Sequence, residues 1–120
     1  MATYEYKHTP QTKTALITAI REEIKRQGSH ADLNCIDTSA IKNMRELFNK
    51  FKTFNGDISE WNVSSVTDMA DMFNGSDFNG DISKWDVSNV KDMTGMFDSS
   101  RFRGDISGWN VDKVEYFFPM

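Results

Sequence analysis

The chain has 120 residues, of which 38% are hydrophobic and 12% aromatic, which is enough apolar material for one modest core in a single domain. Its formal net charge of −4 argues against a nucleic-acid partner, because an acidic surface repels phosphate groups. The single cysteine, Cys35, excludes an internal disulfide and leaves no thiol pair for a zinc or redox site.

One amphipathic helix is predicted near the N-terminus. Thr9-Pro10 offers an N-cap followed by proline at the first helical position, and Gly28 offers a helix stop. The apolar stripe of this helix consists of Leu16, Ile17, Ile20 and Ile24. We expect residues 1–35 to form a capping helix and linker that cover the first repeat unit. A helix that binds a partner or lies on a membrane is the alternative.

The chain offers few residues for nucleophilic catalysis. His30 and Cys35 lie in the linker, and the other histidine is His8. No nucleophile-elbow motif or glycine-rich phosphate loop accompanies them. We therefore predict that the chain is not an enzyme and has no catalytic, cofactor or metal site. Cys35 is interpreted as a small, partly buried apolar residue.

The remainder of the chain repeats with a period of 24 residues. The recurring positions include Trp61, Trp85 and Trp109; Phe54, Phe78 and Phe102; Asp57, Asp81 and Asp105; Met72, Met96 and Met120. Residues 36–48 align with residues 61–73 at an offset of 25 and form a degenerate first copy. The solenoid region 36–120 is thus divided into units 36–60, 61–84 and 85–108 and a half unit, 109–120.

Each unit is predicted to contain a strand, a short helix and a turn. Trp61 and Val63 alternate with polar residues as in a short strand. A stripe with helical spacing follows, formed by Val66, Met69, Met72 and Phe73. A unit of this length cannot close its own core, so the units must stack. We therefore predict an α/β repeat solenoid, a leucine-rich-repeat-like right-handed coil of short strands and short helices with an N-terminal capping helix.

The repeat resembles that of BspA-like bacterial surface proteins. The resemblance rests on WDVSNVKDMTGMF at 85–97, WNVSSVTDMADMF at 61–73 and FNGDISKW at 78–85. The segment KTALITAIREEIKRQG at 13–28 is similar to a helix that often precedes the first repeat in that family. The resemblance implies a leucine-rich-repeat-like solenoid without catalytic activity that adheres to host proteins or other cells. In contrast to ordinary leucine-rich repeats, Val66 and Val90 occupy the positions of an asparagine ladder.

Two sets of recurring side chains are interpreted as a structural core ladder. These are Trp61, Trp85 and Trp109 together with Met69, Met93, Met72 and Met96. Outward-facing tryptophans would instead form a carbohydrate-stacking platform. Methionine sulfurs could bind a soft metal, but their helical spacing beside phenylalanine favours packing.

The recurring aspartates Asp57, Asp81 and Asp105 are interpreted as caps for backbone N–H groups. Calcium binding is the alternative, although no D-x-D-x-D-G loop is present. Arg103-Gly104-Asp105 spells the integrin-binding tripeptide and is a weak candidate for partner binding. Gly-Asp occurs in this turn in every copy, so the arginine alone is new.

The predicted function is that of a non-enzymatic protein–protein interaction scaffold, with a structural spacer repeat or a glycan-binding module as alternatives. The partner is an unknown protein, such as a host or cell-surface protein, and the chain is expected to be a monomer. No apolar run approaches the roughly 18 residues of a membrane span, and residues 1–11 contain no signal-peptide core. The family resemblance implies a surface or secreted location, whereas the chain as it stands would be cytoplasmic.

The C-terminal residues 116–120 are predicted to fold over the preceding unit as an aromatic lid. Pro119 discourages a continued helix, and the adjacent Phe117 and Phe118 cannot both face inward on a two-turn helix. The alternative is that more repeats follow and that these aromatic residues are exposed.

Overall fold

The computed structural model describes residues 5–117, and its helix, α1, spans Lys13–Gln27. The N-cap is Thr12, whose Oγ1 accepts a hydrogen bond from the N–H of Ala15 at 3.1 Å. The predicted cap at Thr9 is therefore wrong by three residues. The predicted stop at Gly28 is confirmed: its φ is +93°, and its N–H donates to the carbonyl of Ile24 at 2.7 Å. Glycine adopts this backbone conformation at little steric cost.

The predicted α/β repeat solenoid of short strands and short helices is wrong. Within residues 5–117, α1 is the only helix, and strand pairing is reduced to isolated single-residue bridges. These parallel bridges join His8 to Ile36, Asp32 to Asp57, Asn43 to Asp68, Asp68 to Asp92, and Asp92 to Tyr116. The Cα radius of gyration is 13.4 Å, close to the value of about 14 Å expected for a compact domain of this length.

The segments predicted as short helices consist of successive turns. Asp71 lies within the predicted helix 66–73, yet its φ is +56°, and the equivalent Glu46 and Gly95 have φ of +58° and +65°. A residue in the left-handed region interrupts a right-handed helix. The backbone N–H groups in this region bind the neighbouring unit instead, as where Met69 donates to the carbonyl of Asp92 at 2.9 Å.

A five-residue turn motif explains the apolar spacing within each unit. In the motif, Asp or Asn precedes an apolar residue, and a second apolar residue follows three positions later. In the copy at Asp57, the N–H of Trp61 donates to the carbonyl of Ile58 at 3.2 Å, and the carboxylate of Asp57 accepts the N–H of Ser59 at 2.9 Å. Further copies begin at Asn62, Asp68, Asp81, Asp86, Asp92, Asp105 and Asn110. In the copies from Asp57 to Asp92, the turn therefore places both apolar side chains in the core without a helix.

Aromatic columns form the centre of the core. The rings of Trp61, Trp85 and Trp109 stack with centroids 6.4 Å apart and interplanar angles of 4° and 5°. Two phenylalanine columns run beside them, Phe48–Phe73–Phe97 and Phe54–Phe78–Phe102. The methionines of the sequence-predicted ladder, Met69, Met72, Met93 and Met96, are buried in the same core.

Helix α1 contributes its buried face to this core. Leu16, Ala19 and Ile20 are buried, and Glu23 lies on the same face. Across the part of the chain that the structure describes, no helix has the length and apolarity required to cross a membrane.

Candidate functional site

The first candidate site is an apolar surface at the C-terminal end of the described chain, here named the terminal apolar face. It is formed by Met93, Ile106, Trp109, Val111, Val114 and Phe117, which together with Ser107 line a cavity of about 290 Å³. Val111 and Phe117 are 47% and 56% exposed, and the neighbouring Tyr116 is 61% exposed. Exposed apolar residues that adjoin a cavity are typical of a contact surface for another molecule.

The predicted aromatic lid falls partly on this face. Phe118, Pro119 and Met120 lie outside the described residues. Tyr116 pairs with Asp92, and its carbonyl accepts a hydrogen bond from the N–H of Met93. The backbone at Tyr116 thus docks on the preceding unit, while the side chains of Tyr116 and Phe117 remain largely in solvent.

A second candidate site lies between α1 and the linker. The side chains of His8, Glu23 and Cys35, here named the N-terminal cluster, place their potential ligand atoms within 4.8 Å of one another. In the sequence, His30 is the histidine that lies in the linker with Cys35. In the structure, however, His30 is exposed and contacts Ser29, and His8 is the histidine that lies beside the thiol.

The backbone holds His8 and Cys35 side by side. The N–H groups of Lys7 and His8 both donate to the carbonyl of Cys35, at 2.9 and 3.2 Å, and Asp37 donates to the carbonyl of His8 at 2.8 Å. These bonds attach the residues before α1 to the linker after it. The relative position of the imidazole and the thiol is therefore set by strand-like pairing.

Glu23 is the charged centre of the cluster. One carboxylate oxygen, Oε2, accepts from His8 Nε2 at 2.7 Å and contacts the ammonium of Lys7 at 3.1 Å. The other, Oε1, accepts from Arg26 at 2.6 Å and Gln27 at 2.8 Å. Burial alone raises the pKa of Glu23, but the hydrogen bonds from His8, Arg26, Gln27 and Lys7 outweigh it and hold the pKa well below its usual range. The carboxyl group is therefore ionised and fully hydrogen-bonded.

The Cys35 thiol is not activated for nucleophilic attack. Burial raises its pKa, and the negative charge of Glu23 raises it further. A reactive cysteine needs the opposite environment, in which cationic neighbours stabilise the thiolate. The arrangement of His8 beside Cys35 therefore does not support cysteine-nucleophile chemistry.

The role of Glu23 is absent from the sequence-based prediction, although the sequence contains a signal for it. Glu23 follows Ile20 by three positions and Leu16 by seven, which places it on the apolar face of the predicted helix. A carboxylate on such a face must be paired when it is buried. The partner Lys7 and the neighbour Cys35 could not be identified from this pattern, because they come from other segments.

The recurring aspartates Asp57, Asp81 and Asp105 cap backbone turns. Their carboxylates accept the N–H groups of Ser59, Ser83 and Ser107, each at 2.9 Å. The bonds from these serines lower the pKa of all three aspartates. Among residues 5–117, no set of three of these carboxylates converges as metal ligands would.

The segment Arg103-Gly104-Asp105 is exposed at all three residues. Arg103 occupies the position of Asn55 and Asn79, where the side-chain oxygen of Asn55 accepts the N–H of Asn79 at 2.8 Å. Asn79 in turn accepts the N–H of Arg103 at 2.8 Å. An asparagine ladder therefore exists at these positions rather than at Val66 and Val90, and Arg103 takes the next asparagine position.

A known protein family matches most of the chain. The family model described as "Mycoplasma protein of unknown function, DUF285" matches residues 18–120. Comparisons with curated proteins and with solved structures find no match. The matched region includes Glu23, Cys35 and the terminal apolar face, whereas His8 precedes it. Since the match covers most of the sequence, the chain belongs to the DUF285 family.

Proposed function

We propose that this chain is a non-enzymatic protein-binding module whose contact surface is the terminal apolar face. The observation that carries the proposal is the exposure of Val111 and Phe117 beside a cavity whose wall includes Trp109. Leaving such residues in water is unfavourable, and their burial against a partner would contribute roughly 25 cal/mol per Å² of apolar surface. Protein interaction surfaces commonly have this composition.

The shape of the face indicates the kind of contact. A cavity of about 290 Å³ lined by aliphatic and aromatic side chains suits one large apolar or aromatic side chain inserted by the partner. Exposed charged residues of both signs, Asp112, Lys113 and Glu115, lie next to the lining residues in the sequence. The proposed partner is therefore a protein that inserts an aromatic anchor and surrounds it with polar contacts.

The resemblance to BspA-like surface proteins supports a host or cell-surface protein as the class of partner. The burial of Trp61, Trp85 and Trp109 argues against the alternative of a glycan platform, because such a platform needs exposed ring faces.

Selection of peptides from a random displayed library against the intact chain tests this proposal. We expect the enriched peptides to carry an aromatic anchor and to lose at least about tenfold in affinity for the Phe117→Glu and Val111→Glu variants. Thr53→Glu introduces the same charge at an exposed position elsewhere and should leave binding unchanged. Equal binding to all three variants, or binding only between copies of the chain, would contradict the proposal.

The exposed Arg103-Gly104-Asp105 segment is a second candidate contact. Arg103→Asn restores the residue found at the equivalent positions 55 and 79 and so preserves the ladder. If adhesion to an integrin-coated surface falls with this variant and not with Phe117→Glu, the tripeptide is the contact. If adhesion is absent or unchanged, the tripeptide has only a structural role.

A further inference from the structure

We propose that His8, Glu23 and Cys35 bind a divalent transition-metal ion of the zinc class. Each residue offers one ligand atom, and all of these atoms lie within 4.8 Å of one another. Imidazole nitrogen, thiolate sulfur and carboxylate oxygen are the donor types that zinc accepts. Three protein ligands would leave a fourth coordination position for water.

The three ligands come from two parts of the fold. Glu23 projects from α1, whereas His8 and Cys35 are fixed next to each other by backbone hydrogen bonds. Arg26 and Gln27 bind only Oε1 of Glu23, and so they orient the carboxylate while Oε2 faces His8. Such support from surrounding residues is typical of metal sites.

Lys7 would compete with a metal ion for one of the proposed ligand atoms. Its ammonium lies 3.1 Å from Oε2 of Glu23, and its side chain is 52% exposed. An exposed lysine can move into solvent at little cost, and a divalent ion would then supply the positive charge. A cavity of about 330 Å³ adjoins the cluster and is lined in part by Lys7, His8 and Glu22.

Metal binding requires small local changes. His8 Nε2 and Glu23 Oε2 are 2.7 Å apart, whereas two ligands of a tetrahedral zinc ion lie roughly 3.3 Å apart. The His8–Glu23 hydrogen bond must therefore open, and the thiol must rotate inward. Cys35 releases its proton to solvent and forms a sulfur–metal bond. The proton on His8 Nε2 passes through solvent to Nδ1, so that Nε2 offers a neutral lone pair, and the Glu23 carboxylate binds through Oε2.

Titration of the intact, metal-free chain with Co²⁺ tests the site. We expect one equivalent to produce thiolate-to-cobalt charge-transfer absorption and the visible bands of tetrahedral cobalt, and Zn²⁺ to abolish both. Cys35→Ser should remove the charge-transfer band, and His8→Ala should weaken binding at least about tenfold. His30→Ala, which changes the exposed histidine outside the cluster, should bind normally.

The Lys7→Gln variant distinguishes a metal site from a cluster that serves only to attach the N-terminal residues to α1. If the cluster binds metal, removal of the competing ammonium should tighten Zn²⁺ binding by at least several-fold. If the cluster serves only to attach the N-terminus to α1, Lys7→Gln lowers the melting temperature and no variant binds Co²⁺. Absence of the cobalt spectrum from a folded chain, or its persistence in Cys35→Ser and His8→Ala, would overturn the proposal. Circular dichroism of each variant establishes that it is folded.

Discussion

The indole N–H of Trp85 donates a hydrogen bond to the backbone carbonyl of Ile58, 3.0 Å away. The same bond joins Trp61 to Leu33 at 2.9 Å and Trp109 to Ile82 at 3.0 Å. Each tryptophan therefore fills the core and also satisfies a buried carbonyl 27 or 28 residues earlier in the chain. A residue that serves both purposes should be among the largest contributors to stability.

Trp85→Ala should lower the free energy of unfolding by about 3–5 kcal/mol, because it opens a cavity in the middle of the stack and leaves the Ile58 carbonyl unpaired. Chemical denaturation monitored by circular dichroism measures the loss. Trp109→Ala, at the end of the described stack, should cost less. A Trp85→Ala protein that melts within a few degrees of the parent would show that the column contributes little.

Gly56→Ala should destabilise the protein by about 3 kcal/mol or more, because a Cβ atom at this position would lie 1.9 Å from the carbonyl oxygen of Ala31. That oxygen also accepts the N–H of Asp57 at 3.0 Å and cannot move freely. Gly108→Ala is the matched control, since its Cβ would meet nothing within 4 Å. Equal melting temperatures of the two variants would contradict this close backbone approach.

Arg45→Met should raise the pKa of Asp92 in the folded protein. Burial raises this pKa, but the hydrogen bonds from Thr94 and the guanidinium of Arg45 outweigh burial and lower it below its ordinary value of 3.8. Arg45 also binds Asp68, and all three side chains are partly exposed. The loss of stability at neutral pH should therefore not exceed about 1 kcal/mol.

The effect of pH on stability follows from the sign of this shift. A carboxyl group whose pKa is lower in the folded state stabilises the protein above its ordinary pKa, and this contribution is lost as the pH falls through the folded-state value. As the pH falls below about 4, the Arg45→Met variant should therefore lose less of its stability than the parent protein loses. Carboxyl NMR titration provides an internal control in Asp81, whose pKa is lowered mainly by Ser83 and should not change. An unchanged Asp92 titration would show that the ion pair is not formed in solution.

Ile20→Asp should lower the free energy of unfolding by about 3–5 kcal/mol, because Ile20 is fully buried and the native packing would bury an unpaired charge there. We expect α1 to detach from the core as a result. Thr18→Asp is the control on the exposed face of the same helix and should change stability little. Sedimentation measures whether the detached helix exposes an apolar surface that causes association. A soluble monomer with unchanged stability would mean that α1 is an appendage.

The sequence alone determined which residues are equivalent. The 24-residue spacing identified the tryptophan, phenylalanine and aspartate positions, and Trp61, Trp85 and Trp109 stack in that register. The helix and its end at Gly28 also followed from local signals, because apolar periodicity and a glycine stop act within one segment. The apolar spacing within a unit was ambiguous, since a helix and a series of turns both place apolar residues three positions apart.

Only the tertiary structure decided between these two possibilities. Asp71 adopts a left-handed conformation and the N–H of Met69 binds a carbonyl 23 positions later, so contacts between units replace the hydrogen bonds of a helix. The N-terminal cluster likewise depends on segments that are distant in sequence, because Lys7 and His8 meet Glu23 and Cys35 only after α1 folds back. Local sequence patterns indicate which side chains are buried. The hydrogen-bond partner of each backbone group and the counter-charge of each buried charge depend on how distant segments pack together.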